Sequence, residues 1–372
     1  MRVLFWSGTF WPQIGGVEVL AAKFLPALRE RGYEYAVVAP KNHPDLPDED
    51  SYNGISVYRF SFFNDFNRRG IDHVVDTRQK LTRLKRSFAP NLVHVNAVGV
   101  ENFFHVSTAA AHRAPVLVTL HGKWKSRADA IVGQTLRGAD WVVGCSATIL
   151  NEGRRLAPEI ACRSSIIYNG VERPPLSTAP MPFDSPRLLC LGRLAPEKGF
   201  DLALAAFGRI VHLFPQARLV IAGDGAARSE LEQQAAKEGI GHAVEFMGWV
   251  DPERVPALIN RATLVVMPSR EDSLPLVALE AARMARPIVA TRVGGLPEIV
   301  VHQETGLLVE KEDSNALADA ISFLIDKPDA AVRMGKSAQR RVEAVFNWEK
   351  HVDAYDALYR RLIGENSAAC VV

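Results

Sequence analysis

The chain lacks several features that would assign it to common classes of protein. Its four cysteines, Cys145, Cys162, Cys190 and Cys370, include no C-x-x-C pair, so the sequence indicates neither a metal site nor a disulfide scaffold. No apolar run approaches the ~18–20 residues of a membrane span, and the chain begins with the strand-like MRVLFWSG instead of a signal sequence. We therefore expect a cytoplasmic protein with buried free thiols and no metal ion.

A strong charge of one sign is also missing from the chain as a whole. The formal net charge is +2, although residues 1–180 hold 22 Lys and Arg against 16 Asp and Glu, and the remainder hold 22 against 26. Nucleic acid is not expected as a partner, because the basic residues do not interleave with a recognised binding module. At 372 residues with 48% hydrophobic residues, the chain exceeds the size of most single cores, which predicts two domains.

Short runs of Val, Ile and Leu alternate with helical patterns along most of the chain. Continuous apolar strands separated by amphipathic helices are typical of a parallel sheet that is covered on both faces. The stretch ERPPLSTAPMPFDSP, rich in Pro and Ser, interrupts this alternation and indicates a linker. We predict an α/β protein of two Rossmann-like doubly wound domains facing a central cleft, with domains at 1–172 and 187–345, a linker at 173–186, and a C-terminal helix within 346–372 that crosses back to the first domain.

The most informative pattern lies in residues 263–295, which predict a buried strand, a polar turn, a helix, a second buried strand and a Gly-Gly turn. Asp272 lies on the turn at the helix mouth, and Glu280 lies about two turns along the helix on the same side. The N–H groups at a helix N-terminus suit a phosphate, and a carboxylate can accept bonds from sugar hydroxyls. Together the two residues predict a ligand with both phosphate and sugar, whereas Asp272 alone is more typical of an N-cap and Glu280 alone is more typical of a helix surface.

Four further residues on predicted strand-to-helix turns, and one at a strand end, favour the same chemistry. Arg193 and Lys198 lie on one turn of the second domain, where two cations can neutralise a leaving diphosphate, or can be simple solvated surface. In the first domain, Gly15 and Gly16 let a ligand approach backbone N–H groups. His121 ends a strand and precedes a glycine, which predicts that it points into the cleft, with a structural role as the alternative.

Two more turns bear on the ligand. Gly248, Trp249 and Val250 follow a short predicted strand, where a nucleotide base can lie against backbone amide groups. Neither first turn carries the full G-x-G-x-x-G pattern, which disfavours an NAD-dependent dehydrogenase.

The order and spacing of these motifs resemble the retaining glycosyltransferases of family 4, which have the GT-B architecture. The similarity runs from GGVE through TLHG, YNGVE, GRLAPEKG, VIAGDG, FMGWV and PSREDSLPLVALEAA to FNWE. It implies metal-independent transfer of a hexose, with retention of configuration, from a nucleotide-sugar to a hydroxyl of a glycan, a lipid-linked acceptor or a small molecule. A UDP-sugar is the favoured donor, and GDP-mannose is the second.

The resemblance also implies roles for individual residues. Arg193 and Lys198 hold the donor diphosphate, and Glu280 accepts the ribose hydroxyls. Asp272 occupies the position of a glutamate that contacts the transferred sugar in the family; because Asp is shorter, Glu271 is the alternative. The predicted catalytic residues are His121, Arg193, Lys198 and Asp272. The predicted donor-binding residues are Gly15, Gly16, Arg193, Lys198, Gly248, Val250, Glu271, Asp272, Ser273, Leu274, Leu276, Val277 and Glu280.

The mechanism and two competing functions stay open in the sequence. No obvious carboxylate is available as the nucleophile of a double displacement, so we favour front-face attack in which the leaving phosphate helps to deprotonate the acceptor. A non-hydrolysing nucleotide-sugar epimerase has a related architecture. A nucleotide-sugar-binding protein without turnover is left open by the departures at Asp272 and at Leu274-Pro275, which replaces the commoner Phe-Gly.

The first domain also contains a basic stretch, TRQKLTRLKRSF at 77–88, with five Lys and Arg and no acidic residue. Three more basic residues, Lys123, Lys125 and Arg127, surround Trp124, and an aromatic segment covers 58–66. This composition is typical either of a solvated basic helix or of a surface that contacts an anionic membrane or a lipid-phosphate acceptor. The second alternative predicts peripheral contact with the inner face of a membrane.

Overall fold

A computed structural model describes residues 1–13, 15–62, 70–124 and 126–369, and for Gly70, Arg127 and residues 365–369 it describes the backbone only. Residues 63–66 of the predicted aromatic segment and Lys125 therefore lie outside the described residues. The described chain forms two compact units. One contains Met1–Tyr168 together with the helical residues from His351 onward, and the other contains Asn169–Lys350.

The strands and helices alternate along the described chain. The strands are β1 Arg2–Trp6, β2 Glu34–Pro40, β3 Glu49–Tyr52, β4 Ile55–Phe60, β5 Leu92–Val95, β6 Val116–Leu120, β7 Trp141–Gly144, β8 Ser164–Ile166, β9 Arg187–Leu191, β10 Arg218–Ala222, β11 Val244–Gly248, β12 Leu264–Met267, β13 Ile288–Thr291 and β14 Gly306–Val309. The helices are α1 Gly16–Glu30, α2 Gly70–Phe88, α3 Asn102–Ser107, α4 Asp129–Arg137, α5 Ala147–Leu156, α6 Phe200–Ile210, α7 Arg228–Lys237, α8 Val255–Asn260, α9 Leu276–Arg283, α10 Leu296–Ile299, α11 Ser314–Asp326, α12 Pro328–Val345 and α13 Trp348–Ala369.

Each unit is built on one sheet. The first sheet has the strand order β3-β4-β2-β1-β5-β6-β7-β8, and the second has the order β11-β10-β9-β12-β13-β14. All neighbouring strands are parallel except β3 and β4. Every residue of β12 and β13 is buried although successive side chains point to opposite faces, so both faces of the second sheet are covered. The prediction of two parallel-sheet α/β units is confirmed.

The antiparallel pair β3 and β4 was not predicted. Asn53 and Gly54 join the two strands, and both have positive φ angles, 50° and 76°. Such a two-residue Asn-Gly connection is the commonest signal of a tight hairpin. β3 lies at the sheet edge and is mostly exposed, so it carries no apolar run that would mark it in the sequence.

The C-terminal helix α13 packs in the first unit through buried aromatic and polar side chains. The Tyr359 hydroxyl lies 2.6 Å from His94 Nδ1, and His94 Nε2 lies 2.8 Å from Thr119 Oγ1. The ring of Tyr355 packs edge-on against Phe24 at a centroid distance of 4.9 Å. Burial lowers the pKa of His94 far below its ordinary value, so this imidazole stays neutral at physiological pH. The helix thus completes the core of the first unit.

Candidate functional site

Two loops of the second unit meet where neighbouring parallel strands end. β9 and β12 pair in register, so the loop after β9 and the loop after β12 leave the same edge of the sheet. The backbone N–H groups of Arg270 and Glu271 donate to the carbonyl oxygen of Glu197, at 2.8 and 3.3 Å. These contacts place the segment that carries Lys198 beside the segment that carries Asp272.

Lys198 and Asp272 form an ion pair at this edge. Lys198 Nζ donates to Asp272 Oδ2 at 2.7 Å, and the Ser269 hydroxyl donates to the same oxygen at 3.1 Å. The Lys198 side chain is 24% exposed and the Asp272 side chain is 9% exposed. Partial burial weakens solvent screening, so this pair is stronger than an ion pair on an open surface. The structure therefore brings together two of the four predicted catalytic residues.

The backbone of Asp272 packs tightly against the Gly-Gly turn that follows β13. The Gly295 N–H donates to the Asp272 carbonyl oxygen at 3.1 Å. Gly294 has a φ of +52°, and a Cβ atom built on it would lie only 1.5 Å from the same oxygen. Since no other residue leaves this space open, Gly294 is required for the loop conformation that presents Asp272.

Arg193 lies on the same loop as Lys198 but in a different environment. Its side chain is 70% exposed, and its guanidinium donates to Glu197 Oε1 at 2.6 Å. Water screens such an exposed pair, so Arg193 can exchange this partner at small cost. A diphosphate at this edge would meet an exposed guanidinium and a partly buried, ion-paired ammonium group.

Arg270 is a structural residue of the site that sequence reasoning missed. Its guanidinium donates two bonds of 2.7 Å to Asp201, one bond of 2.7 Å to Glu312 Oε1, and one bond of 2.8 Å to the Pro196 carbonyl oxygen. One side chain therefore fastens the Lys198 loop, the start of α6 and the loop after β14. The only sequence signal was an arginine within the PSRED motif, which did not identify its partners.

Helix α9 opens at this edge and corrects one prediction. Its N-cap is Pro275, which provides no capping side chain, so the N–H groups of Leu276 and Val277 at the helix start are suited to an anion. Glu280 is the fifth residue of α9 and half-buried, so it lies just over one turn along the helix. The expectation of two turns was wrong, because Pro275 delays the helix start. Ser273 is another predicted residue of this loop, and its carbonyl oxygen packs against Gly295. A Cβ atom built on Gly295 would lie only 2.0 Å from that oxygen.

Asn169 supports the same loop from outside the predicted set. Its Nδ2 group donates to the Leu274 carbonyl oxygen at 3.3 Å, and the Asn169 side chain is buried. Asn169 and Leu274 are 105 positions apart, so no local pattern in the sequence indicates this contact.

The predicted base-binding residues lie at the end of the edge strand β11. Gly248 has a φ of +72°, and its carbonyl oxygen accepts a bond of 2.7 Å from the Gly223 N–H. Trp249 follows with 54% of its surface exposed, although it is the largest apolar side chain on this turn. β11 is separated from β9 by one strand, so this turn lies about 10 Å from the Lys198 loop, a span that a nucleotide can bridge.

His121 lies in the first unit, immediately after β6. Its Nε2 atom lies 2.9 Å from Asn96 Oδ1, which identifies Nε2 as the protonated nitrogen. Its Nδ1 atom is buried and has no hydrogen-bond partner among the described residues. Burial, with a smaller contribution from His351, lowers the pKa of His121 to about 3. At neutral pH the side chain is therefore a neutral imidazole that offers an acceptor nitrogen, and not a general acid.

Gly15 and Gly16 lie at the start of α1, with Gly15 as the N-cap. Glu18, in the first helical turn, accepts a bond from the Thr9 hydroxyl, and its Oε2 atom lies 2.5 Å from a Cβ built on Gly15. A carboxylate thus lies at this helix start, where an anion was expected to approach. The two glycines are placed as predicted on the first strand-to-helix turn, but Glu18 disfavours a bare phosphate there.

The basic stretch of the first unit forms the second half of α2. Lys85 is buried and donates to the carbonyl oxygens of His105 and Thr108, so its expected place on a basic surface was wrong. Arg83 and Arg86 are exposed, as are the apolar side chains of Ile71 and Val75. Nearby in sequence, Trp124 Nε1 donates to Asp129.

Three further observations concern metal ions, thiols and membranes. No group of three or more His, Cys, Asp or Glu side chains in the described part of the chain is arranged to hold a metal ion. Cys145 and Cys190 are buried free thiols, Cys162 is an exposed free thiol, and Cys370 lies outside the described residues. None of the described helices is both long enough and apolar enough to cross a membrane.

Comparison with known proteins gives matches over most of the chain. The family model for glycosyl transferases group 1 matches residues 180–341, and the model for Glycosyltransferase Family 4 matches residues 14–173. The chain is 29% identical to a glycogen synthase of Mycobacterium tuberculosis over 398 residues, which cover 96% of this chain and 94% of that protein.

Solved structures share the fold of both units. The sucrose-phosphate synthase from Thermosynechococcus elongatus has a TM-score of 0.85 at 24% identity, and the match covers 98% of this chain and 100% of that one. Anabaena HepE in complex with UDP-glucose has a TM-score of 0.76 at 19% identity, with coverage of 99% and 100%.

Proposed function

The chain belongs to the family 4 and group 1 glycosyltransferases, and from this premise we propose that it transfers a hexose from a nucleotide-sugar to an acceptor hydroxyl with retention of configuration. Its two parallel-sheet α/β domains have the GT-B architecture of its structural neighbours. The observation that carries the proposal is the ion pair of Lys198 and Asp272 at the carboxyl edge of β9 and β12, beside the open start of α9. Groups that can bind a diphosphate and a group that can bind a sugar therefore lie within a few residues of one another.

Each group of this edge has a role in the proposed reaction. Lys198 and Arg193 stabilise the negative charge that develops on the diphosphate as its bond to the sugar breaks. The N–H groups at the start of α9 bind the diphosphate, and Glu280 accepts the ribose hydroxyls. Asp272 accepts a hydroxyl of the transferred sugar, with Glu271 as the alternative. In a front-face reaction the leaving phosphate oxygen takes the proton of the acceptor hydroxyl, so no protein base and no metal ion is needed.

His121 has a proposed role that follows from its protonation state. With Nε2–H donated to Asn96, the Nδ1 lone pair is the free acceptor of the ring, and because this atom is buried, the imidazole must turn before a sugar hydroxyl can donate to it. Its low pKa keeps it from donating a proton at neutral pH. We therefore assign it to sugar recognition instead of proton transfer.

A UDP-sugar is the proposed donor, with GDP-mannose as the second candidate. HepE, which shares the fold, was solved with UDP-glucose, and this supports uridine as the first base to test. The proposed acceptor is a glycan, a lipid-linked sugar or a small molecule. Membership of the glycosyltransferase families favours transfer over the epimerase and binding-protein alternatives.

The first experiment is a thermal-shift screen of the full chain against UDP, GDP, ADP and their common sugar conjugates. A ligand that binds only the folded chain raises the melting temperature. The nucleotide that raises it then defines the donor series for acceptor screening, with product configuration read by NMR. No shift with any of these nucleotides would contradict the proposed function.

The proposed role of Lys198 has a separate test. Lys198→Ala is expected to lower turnover more than donor affinity, because the charge on the leaving diphosphate is greatest in the transition state. Lys237→Ala, an exposed lysine on α7, is the matched control and should leave both unchanged. An unchanged turnover number in Lys198→Ala would remove this residue from the mechanism.

The exposed face of α2 supports a second proposal, peripheral binding to an anionic membrane on the cytoplasmic side. Ile71 is 81% exposed, Val75 is also exposed, and Arg83 and Arg86 lie further along the helix. An exposed apolar segment followed by arginines matches the chemistry of an anionic lipid surface. Such a location would place a lipid-linked acceptor close to the enzyme.

Vesicle sedimentation tests this proposal. The full chain should bind vesicles that contain anionic phosphatidylglycerol and should not bind vesicles of phosphatidylcholine alone. Reversal of the charge at both arginines, by Arg83→Glu with Arg86→Glu, should weaken binding to the anionic vesicles by about tenfold or more. Arg209→Glu with Arg333→Glu, the same charge change on exposed residues of α6 and α12, should have no effect, and equal loss in this control would contradict the α2 surface.

A further inference from the structure

Lys198 is tied to a carboxylate that belongs to the same proposed site. Asp272 Oδ2 accepts the bond from Lys198 at 2.7 Å and a second bond from the Ser269 hydroxyl. The backbone of Asp272 is held in place by Gly295. The carboxylate is therefore fixed where it competes directly with a phosphate oxygen for the Lys198 ammonium.

This competition has different consequences for a nucleotide-sugar and for a nucleoside diphosphate. A nucleoside diphosphate must draw Lys198 away from Asp272, and it leaves a mostly buried carboxylate beside its own negative charge. A nucleotide-sugar draws on Lys198 in the same way, but its sugar hydroxyls can donate to the carboxylate and so replace the lost bond. The penalty for separating the pair is therefore offset only when the sugar is present.

We propose that Asp272 is a specificity-determining residue that disfavours the nucleoside diphosphate product relative to the nucleotide-sugar donor. The inference rests on the proposed function and deepens it, because it assigns the ion pair a role in product release. After transfer, the sugar leaves the nucleotide and Asp272 takes Lys198 back. The carboxylate thereby helps to expel the diphosphate.

A neighbouring carboxylate provides a matched control. Glu197 pairs with Arg193 on the exposed side of the loop, where screening makes the pair weak. Neutralising Glu197 changes the local charge by the same amount as neutralising Asp272 without releasing Lys198.

Calorimetric titration with UDP and with UDP-glucose tests the proposal, or with GDP and GDP-mannose if the donor screen selects guanosine. Asp272→Asn should bind the nucleoside diphosphate about three- to tenfold more tightly than the wild type, since it loses a competing charged hydrogen bond. Its affinity for the nucleotide-sugar should change by less than about twofold. The variant has no ion pair to separate, but it also loses the charged acceptor for the sugar hydroxyls, so the two effects offset each other. Asp272→Ala makes the same charge change and replaces the Asn variant if that one does not fold.

The outcomes separate this inference from the proposed function. Glu197→Gln should leave both affinities within about twofold of the wild type. Unchanged or weaker binding of the diphosphate by the Asp272 variants would overturn the inference, as would an equal gain in Glu197→Gln, which would indicate that any lost negative charge on the loop has the same effect. Failure of the wild type to bind any nucleotide would remove the proposed function, and this inference with it.

Discussion

Replacement of Lys85 by methionine is expected to remove a pH dependence from the stability of the first unit. Lys85 is 2% exposed, and its ammonium group lies 5.8 Å from the ring centroid of Trp6. It donates to the carbonyl oxygens of His105 and Thr108, at 3.2 and 3.3 Å. Burial lowers the pKa of Lys85 to about 8, because the charged form has lost most of its hydration.

The sign and size of the effect follow from this pKa. Between about pH 8 and the ordinary lysine value of 10.5, the unfolded chain keeps the Lys85 proton and the folded chain has lost it. Because the unfolded state then binds more protons, stability rises with pH through this window. The two pKa values differ by about 2.5, which corresponds to ~3 kcal/mol. Below about pH 8 both states are protonated, and the wild type carries the full cost of the buried charge.

Equilibrium unfolding in urea measures this effect. The free energy of unfolding of wild type and Lys85→Met should be compared at several pH values from about 7 to 10.5, so that all other titrating groups cancel in the difference. The wild type should gain ~3 kcal/mol over the variant across this range. Lys80 is an exposed lysine on the same helix, so Lys80→Met should show the same pH dependence of the unfolding free energy as the wild type. If the free energy of unfolding changes with pH in the same way in wild type and Lys85→Met, the reasoning is refuted.

Three further predictions concern other parts of the molecule. Gly294→Ala should lower the melting temperature by several degrees and abolish nucleotide binding, whereas Gly239→Ala, which also has positive φ but nothing within 4 Å of its built Cβ, should keep nucleotide binding. Trp249→Ala should weaken nucleotide binding about tenfold without a change in melting temperature; equal affinity in titration would exclude base contact. Tyr359→Phe should cost about 1–3 kcal/mol in urea unfolding because buried His94 loses a partner, and a cost near zero would contradict this.

Much of the second unit could be predicted because buried parallel strands have continuous apolar runs. The apolar run RLLCLGRL at 187–194 contains β9, but the strand ends at Leu191. Gly192, with a φ of +151°, turns the chain after the strand. Leu194 lies beyond this turn, but its side chain still packs in the core and is fully buried. Burial and strand geometry are separate properties, and an apolar run reports only the first.

Other features depend on partners that are distant in sequence. The burial of Lys85 depends on the end of helix α3, where the carbonyl oxygens of His105 and of the C-cap residue Thr108 accept its bonds. Arg270 contacts Asp201 and Glu312 because the strand order brings their loops together, and no local sequence pattern reveals that order. The helix start after Pro275 is a different case, because a residue that precedes proline is disfavoured in a helix, so this boundary was available from the sequence.

The second unit shows why a sequence motif locates this site more reliably than it assigns roles within it. Gly294 fits against the Asp272 backbone, and Gly199 fits against Pro268, where a built Cβ would lie 2.1 Å from the carbonyl oxygen. Arg270 fastens the loops that carry Lys198 and Asp272 without itself being one of the proposed ligand-binding groups. Substitution at any of these three positions would therefore abolish activity by moving the ligand-binding groups. Loss of activity alone cannot identify a ligand-binding residue here, whereas a change in the relative affinities for nucleoside diphosphate and nucleotide-sugar can.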